Sequence, residues 1–586
     1  MPMTTLLDHL AFLYGEADAS QILARVENLL ASYRARIPAK NAALTERDSL
    51  LITYGDQVQS PDEKPLKTLK KFCDTYLTGV VNGIHILPFY PWTSDDGFSV
   101  VDYRQIDLAL GDWDDVSSMQ NFRLMFDGVI NHISSQSEWF QKFLQDDPHY
   151  KDYFITIEGE PDLSQVVRPR ALPLLTLFQT PSGEKKVWTT FSDDQIDLNF
   201  KNPEILLEIL DILLLYTERG ADFIRLDAIA YLWKEIGTTC IHLPQTHRVV
   251  QFLRAALNDI APHVHLITET NVPHTDNISY FGDGTNEAQL VYNFALPPLT
   301  LHTFRTGDAR ILSDWARTLT LPSDKTTFFN FLASHDGIGL NPARGILDNA
   351  DIDALVEKTL THGGLISYKH HADGTQSPYE MNINYFDALS NPAVLQPPSS
   401  AVGTPPRAGY ESLDLQVDRF IAAQAIMLSL VGVPGIYFHS LFGSRGWVEG
   451  VKQTGRNRTI NREKLNFDEL QNQLADENSL RSKIFTKYRQ LLKARSSASA
   501  FHPHGAQTIL DLHPSVFAVE RTSPDDANRV LCLHNVSAGR STVKTEHVIP
   551  QRSRVDATAI DLFTDQEVQI SNITLEPYQV LWLKIT

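Results

Sequence analysis

A chain of 586 residues is too long for one ordinary domain, but it fits a barrel with insertions followed by a smaller domain. With 42% hydrophobic residues it can bury a large core, and its net charge of −20 argues against a nucleic-acid partner, whose phosphates it would repel. Three widely spaced cysteines, Cys73, Cys240 and Cys532, match neither a disulfide framework nor a metal site, so reduced thiols in a cytoplasmic protein are expected.

The N-terminal stretch MPMTTLLDHLAFLYGEADAS has acidic groups where a secretory signal needs basic ones, and no run reaches about 18 apolar residues, so no membrane partner is expected. Residues 5–40 read as packing helices, with Leu6, Leu10, Leu13, Ile22, Val26 and Leu30 at helical spacing. Eight short apolar runs follow, at 50–54, 84–88, 124–130, 223–226, 264–268, 290–294, 328–333 and 435–438. Amphipathic helical patterns separate most of them, which predicts an α/β fold, a (β/α)8 TIM barrel with its active site at the C-terminal ends of the strands. Two connections are too long for simple loops. They predict inserted subdomains at 133–195, after the third strand, and at 337–415, after the seventh. The barrel then occupies 1–132 (with the N-terminal helices), 196–336 and 416–499, and alternating runs at 500–586 predict a C-terminal antiparallel β-domain.

The ends of the eight runs test this layout. They carry, in order, Asp56, Phe89, Asn131 with His132, Asp227, Glu269, Phe294, Asp336 and Tyr437. Each alone is more often structural than catalytic, but so many carboxylates on one rim point to chemistry. Arg225 lies two residues before Asp227 on its strand and therefore on the same side, where a guanidinium keeps the carboxylate ionised and oriented. Cleaving an acetal needs an acid for the leaving oxygen and a carboxylate for the developing cation, and strand tips of one barrel supply both. Glu269, following apolar residues in LITETN, is placed for the raised pKa of a general acid.

The segments DGVINH (127–132), RLDAIAY (225–231), ITETN (267–271) and NFLASHDGIG (330–339) together resemble the four signature regions of the α-amylase family of glycoside hydrolases. That resemblance implies a retaining double displacement, with Asp227 as nucleophile, Glu269 as general acid/base and Asp336 as the third carboxylate. It puts His132, Arg225 and His335 around the glucose subsite. LITYGD (51–56), HILPFYP (85–91), SDDGFSVVDY (94–103), VRPR (167–170), FSDDQIDLN (191–199) and NRTINR (457–462) narrow the likeness to the sucrose phosphorylase group. By that likeness Asp56 and Arg458 hold distal glucosyl hydroxyls, Phe191 faces the cationic transition state, and Tyr103 and Gln195 complete the glucosyl subsite. Arg170 and Arg462 bind phosphate, helped by Tyr231 and the backbone near Tyr379. Forked guanidiniums suit phosphate, which agrees with phosphorolysis rather than hydrolysis.

The chain departs from sucrose phosphorylases at Glu380, Asn271 and Tyr103, on the leaving-group side and its rim. It resembles more closely the glucosylglycerate phosphorylases, through SPYE, NFLASHDGIG and ITETNVPH. The implied reaction converts 2-O-α-D-glucosyl-D-glycerate and phosphate to α-D-glucose 1-phosphate and D-glycerate. Arg344, Lys369, His370 and His371 are candidates for the glycerate carboxylate. Alternatives are a glucosylglycerol, sucrose or sucrose 6-phosphate phosphorylase, an α-glucosidase or transglucosidase, and a non-catalytic amylase-like binding protein. Asp146, Asp147 and Asp152 lack regular calcium-ligand spacing, and no nucleotide loop is present, so no metal or organic cofactor is expected, only phosphate as co-substrate. The partners are then the small-molecule sugar and phosphate, acting on a monomer or homodimer.

Overall fold

The computed structural model describes residues 5–41, 43–169, 173–370, 375–392, 411–545 and 558–585. The eight apolar runs form β1 (Leu50–Thr53), β2 (Gly83–Ile86), β3 (Arg123–Gly128), β4 (Ala221–Leu226), β5 (His265–Thr268), β6 (Leu290–Tyr292), β7 (Thr327–Asn330) and β8 (Val433–Tyr437). They close into a parallel barrel in chain order, β8 pairing with β1 through Leu50↔Gly435. Apart from Arg123, every residue of these strands is buried, which is why they read as continuous apolar runs instead of alternating ones.

Helices cover the outside. Between β3 and β4, Pro203–Glu218 starts where Asn202 accepts the Glu204 N–H, with proline in its first turn, and it buries Ile205, Leu206, Ile209, Leu210 and Leu213. At the N-terminus, Leu6–Tyr14 and Glu16–Arg34 pack as a pair, and Leu6–Tyr14 also packs on Pro244–Ile260.

The long connection after β3 holds the helix Glu138–Leu144 and an antiparallel sheet of Thr156–Ile157, Leu175–Thr180 and Gly183–Trp188. Its base is pinned where His132–Ser134 pairs with Gln195–Asp197. There the ammonium of Lys234, itself buried, donates to Asn131 Oδ1 at 2.9 Å and pairs with the buried Asp197 carboxylate. After β7, the hairpin Leu365–His370 with Gln376–Asn382 adds Ile338–Gly339 as a third strand, and Asn349–Thr361 packs on it. The described stretches 506–545 and 558–585 form a six-stranded and a two-stranded antiparallel sheet. Among the described residues no helix is long and apolar enough to cross a membrane.

Candidate active site

The register of β4 builds the centre of the site. Arg225 lies opposite Asp127 on β3 and opposite Ile267 on β5, so the chain leaves these strands with Asp227 and Glu269 on the same rim. The buried Arg225 guanidinium pairs with Asp127, donates to Asp227 Oδ1 at 2.8 Å and stands 3.9 Å from Glu269 Oε2. Immediately after Asp227 the backbone enters the left-handed region at Ala228 (φ 49°, ψ 34°), a conformation that costs a non-glycine residue energy and clusters at functional sites. The turn aims the Ala228 N–H at Glu269 Oε2, 3.1 Å away. A strained peptide thus ties the two carboxyl groups together.

Burial pushes the Asp227 carboxyl up to about 8 against the pull of Arg225, and the charge of Glu269 adds to the rise. Burial raises Glu269 too, with Asp336 reinforcing it. Two such carboxyls share one proton. Because Arg225 donates to Asp227 and stands farther from Glu269, the proton belongs on Glu269 and the negative charge on Asp227.

Asp336 behaves oppositely. Burial opposes its ionisation, yet Arg458, His335, Arg462 and Arg225 outweigh that and hold it down at about 2. Arg458 Nη1 is 2.5 Å from Asp336 Oδ1, Arg462 Nη2 is 3.5 Å from the same oxygen, and Asn461 donates to the Asp336 carbonyl at 3.1 Å. His335 stacks on Phe98, with ring centres 4.8 Å apart, and burial pushes its imidazole down to about 3.

These groups line one cavity at the C-terminal rim of the barrel. One wall is built by His132, Gln195 and Phe191. His132 Nε2 and Gln195 Nε2 converge on the Phe98 carbonyl at 2.9 and 3.1 Å, and Phe191 packs between His132 and Tyr231. Burial keeps His132 neutral, its imidazole pushed down to about 4. Tyr231, Thr270, Asn271, Gly337, Tyr379 and Arg458 complete the lining.

Of the sixteen residues expected at the site, the structure brings Asp227, Glu269, Asp336, His132, Phe191, Gln195, His335, Arg458, Tyr231 and Tyr379 onto one cavity, with Arg225 beneath them. Others are placed differently. The buried Tyr103 hydroxyl donates to the carbonyls of Val129 (2.9 Å) and His132 (2.8 Å), so it supports the wall from behind and does not face a sugar. Asp56 lies outside the cavity lining, paired with Lys464 at 2.5 Å.

The two arginines of NRTINR have different surroundings. Arg458, expected among the glucosyl hydroxyls, lies on the Tyr379 side and grips the buried Glu380 with Nε (3.0 Å) and Nη2 (2.6 Å). Arg462, expected to hold phosphate, is buried behind Asp336. Its donors go to the His335 carbonyl (2.8 Å) and to Asp96, and its guanidinium lies over the Tyr54 ring. Arg170 and His371, and the His370 side chain, are outside the described residues. Arg344 donates to the Pro378 carbonyl at 3.1 Å, bracing the backbone before Tyr379, and neither it nor Lys369 lines the cavity.

The sequence reading gave no role to Phe98, Asp95 or Pro169, which line the site or hold its walls. The tetrapeptide SDDG carried a signal for the first two. Asp95 and Asp96 both have positive φ, and Gly97 follows at φ 108°, where an added Cβ would meet the Pro88 carbonyl at 2.7 Å. Asp146 is committed to Lys185 and Ser182. Among the described residues, no group of three or more His, Cys, Asp or Glu side chains is arranged to hold a metal ion.

Residues 75–338 match the family model described as the catalytic domain of alpha amylase. Among solved structures, the sucrose 6F-phosphate phosphorylase from Thermoanaerobacter thermosaccharolyticum superposes with a TM-score of 0.71 at 25% identity, over 84% of this chain and 94% of that one. The glucosylglycerate phosphorylase of Allomeiothermus silvanus is 50% identical over 582 residues, 99% of this chain and 98% of that protein. That of Spirochaeta thermophila is 48% identical over 601 residues, with the same coverage. With this identity running along essentially the whole of both chains, on a barrel of the α-amylase type, the chain belongs to the glucosylglycerate phosphorylase family.

Proposed function

We propose that the chain catalyses the reversible phosphorolysis of 2-O-α-D-glucosyl-D-glycerate to α-D-glucose 1-phosphate and D-glycerate, with retention at the anomeric carbon. The observation that carries the mechanism is the placing of Arg225 2.8 Å from Asp227 Oδ1 but 3.9 Å from Glu269 Oε2, which favours the proton on Glu269 and the charge on Asp227. Likeness to glucosylglycerate phosphorylases at 44–50% identity supports the choice of acceptor.

In the first displacement Asp227 attacks the anomeric carbon while Glu269 gives its proton to the departing glycerate oxygen. The C1–O bond breaks and a glucosyl ester forms on Asp227. In the second, ionised Glu269 takes a proton from phosphate as a phosphate oxygen attacks C1, and the ester breaks. Asp336, held anionic by Arg458 and Arg462, accepts hydrogen bonds from sugar hydroxyls. Phe191 and Tyr231 offer ring faces to the cationic transition state.

Arg458 is the described cation at the acceptor side of the cavity, so it meets the glycerate carboxylate and the phosphate in turn. Glu380 holds it from behind. The reading needs no metal or organic cofactor, and the three unpaired buried thiols suit a cytoplasmic enzyme.

The reverse direction tests the acceptor. With glucose 1-phosphate as donor, phosphate release should require D-glycerate and stay near background with glycerol or fructose. Equal release with all three would refute the acceptor assignment.

A further inference from the structure

We propose that His85 is a positioning residue for the nucleophile, acting through Asp127 and Arg225. Its place on β2 calls for nothing polar: Ile84, Ile86 and Leu87 around it are wholly buried, and so is His85. Yet its Nε2 is 2.7 Å from Asp127 Oδ2. An ionised carboxylate only accepts, so this nitrogen carries the proton and donates it. The ring has no other bond, since Nδ1 is buried and finds no partner among the described residues. A buried histidine with one hydrogen bond, made to one carboxylate oxygen, is explained by that bond.

The bond matters because of what Asp127 does with its other oxygen. Oδ1 pairs with Arg225 Nη1, the same nitrogen that donates to Asp227 Oδ1 at 2.8 Å. Asp127 and Asp227 therefore take the two N–H groups of one guanidinium nitrogen and share its charge. Tyr90 fixes the Asp127 carbonyl from the loop after β2 at 3.2 Å, and Tyr292 on β6 packs against Arg225, so the guanidinium has little freedom. The remaining charged or titratable groups around the chain are Glu269 after β5, His335 and Asp336 after β7, and Arg458 and Arg462 beyond β8.

While His85 donates to it, Asp127 stays ionised and draws part of Arg225's charge, leaving Asp227 a reactive carboxylate. Without that donor, Oδ2 becomes a buried carboxylate oxygen with no hydrogen bond, and Asp127 takes up a proton. Arg225 then goes over to Asp227, which ionises more readily but attacks less well.

This inference rests on Asp227 being the nucleophile, so the probe is α-glucosyl fluoride, whose leaving group takes no proton from Glu269 and whose turnover needs no particular acceptor. His85→Gln places an amide where Nε2 stands, whereas the shorter His85→Asn does not reach Asp127. We expect H85Q to keep most of the wild-type kcat/KM and its acid limb. H85N should lose kcat/KM by about 10²-fold, with the acid limb moved about one unit to lower pH. Equal impairment of both variants, or an H85N limb at the wild-type pH with only a lower melting temperature, would overturn the proposal. Should H85N fail to fold, a displaced limb or a large loss in H85Q would do the same. Wild-type turnover of the fluoride without glucose 1-phosphate from glucosylglycerate would break the acceptor reading and leave His85 untouched; a wild type inert to the fluoride would sink both.

Discussion

At the scale of single residues, the division of labour between two neighbouring carboxyl groups comes from one guanidinium placed closer to one of them. Asp227→Asn should fold and lose about 10⁴-fold or more in kcat, because an amide cannot form the glucosyl ester; near-normal turnover would contradict its role. Glu269→Gln should cost about 10²- to 10⁴-fold on glucosylglycerate and far less on α-glucosyl fluoride, which leaves without a proton. The pH profile follows from the same pair. Burial raises both carboxyls, so the shared proton persists above the ordinary carboxylate range, and phosphorolysis should fall at alkaline pH as Glu269 loses its acid form. In Glu269→Gln that alkaline limb should vanish from the residual rate. The three carboxylates could be read from the sequence because each ends an apolar run. The surroundings of Asp56 and Tyr103 could not be read because their partners are remote or backbone: Lys464 is 408 positions away from Asp56, and Tyr103 is held by two carbonyls that no side-chain pattern reveals.

Secondary-structure elements decide which face of the site each arginine serves. Arg458 lies within the 3₁₀ turn Asn457–Asn461, whereas Arg462 follows it, where the backbone has left helical geometry (φ −123°, ψ 25°). One arginine therefore reaches the Gln376–Asn382 hairpin strand and the other runs behind Asp336, a separation invisible to motif matching. The small strand Ile338–Gly339 offers a sharper test, since an added Cβ at Gly339 would stand 2.7 Å from the Asn271 carboxamide on the acceptor side. Gly339→Ala should raise KM for glucosylglycerate several-fold and leave α-glucosyl fluoride turnover near wild type; parallel losses on both substrates would show that Asn271 does not border the acceptor. The base of the first insertion depends on a buried pair. Lys234→Met leaves the Asp197 carboxylate buried and uncompensated, a loss of about 3–5 kcal/mol. It should appear as a clear drop in melting temperature, and an unchanged melt would contradict the pairing.

For the molecule as a whole, fold class and barrel order were legible, because eight buried parallel strands leave eight largely apolar runs. What stayed illegible is the wiring across the rim. Asp96 meeting Arg462, Glu380 meeting Arg458 and His85 meeting Asp127 each join segments that only the closed barrel brings together. A chain of net charge −20 places Arg458 between two carboxylates on the lining of its cavity, and in the proposed reaction this arrangement passes an anionic leaving group and an anionic nucleophile through one site. The most direct measurement is product analysis from glucosylglycerate with and without inorganic phosphate. Phosphate-dependent release of α-glucose 1-phosphate, with little free glucose in its absence, is the predicted result. Free glucose formed at the same rate without phosphate would contradict it and make the chain a hydrolase.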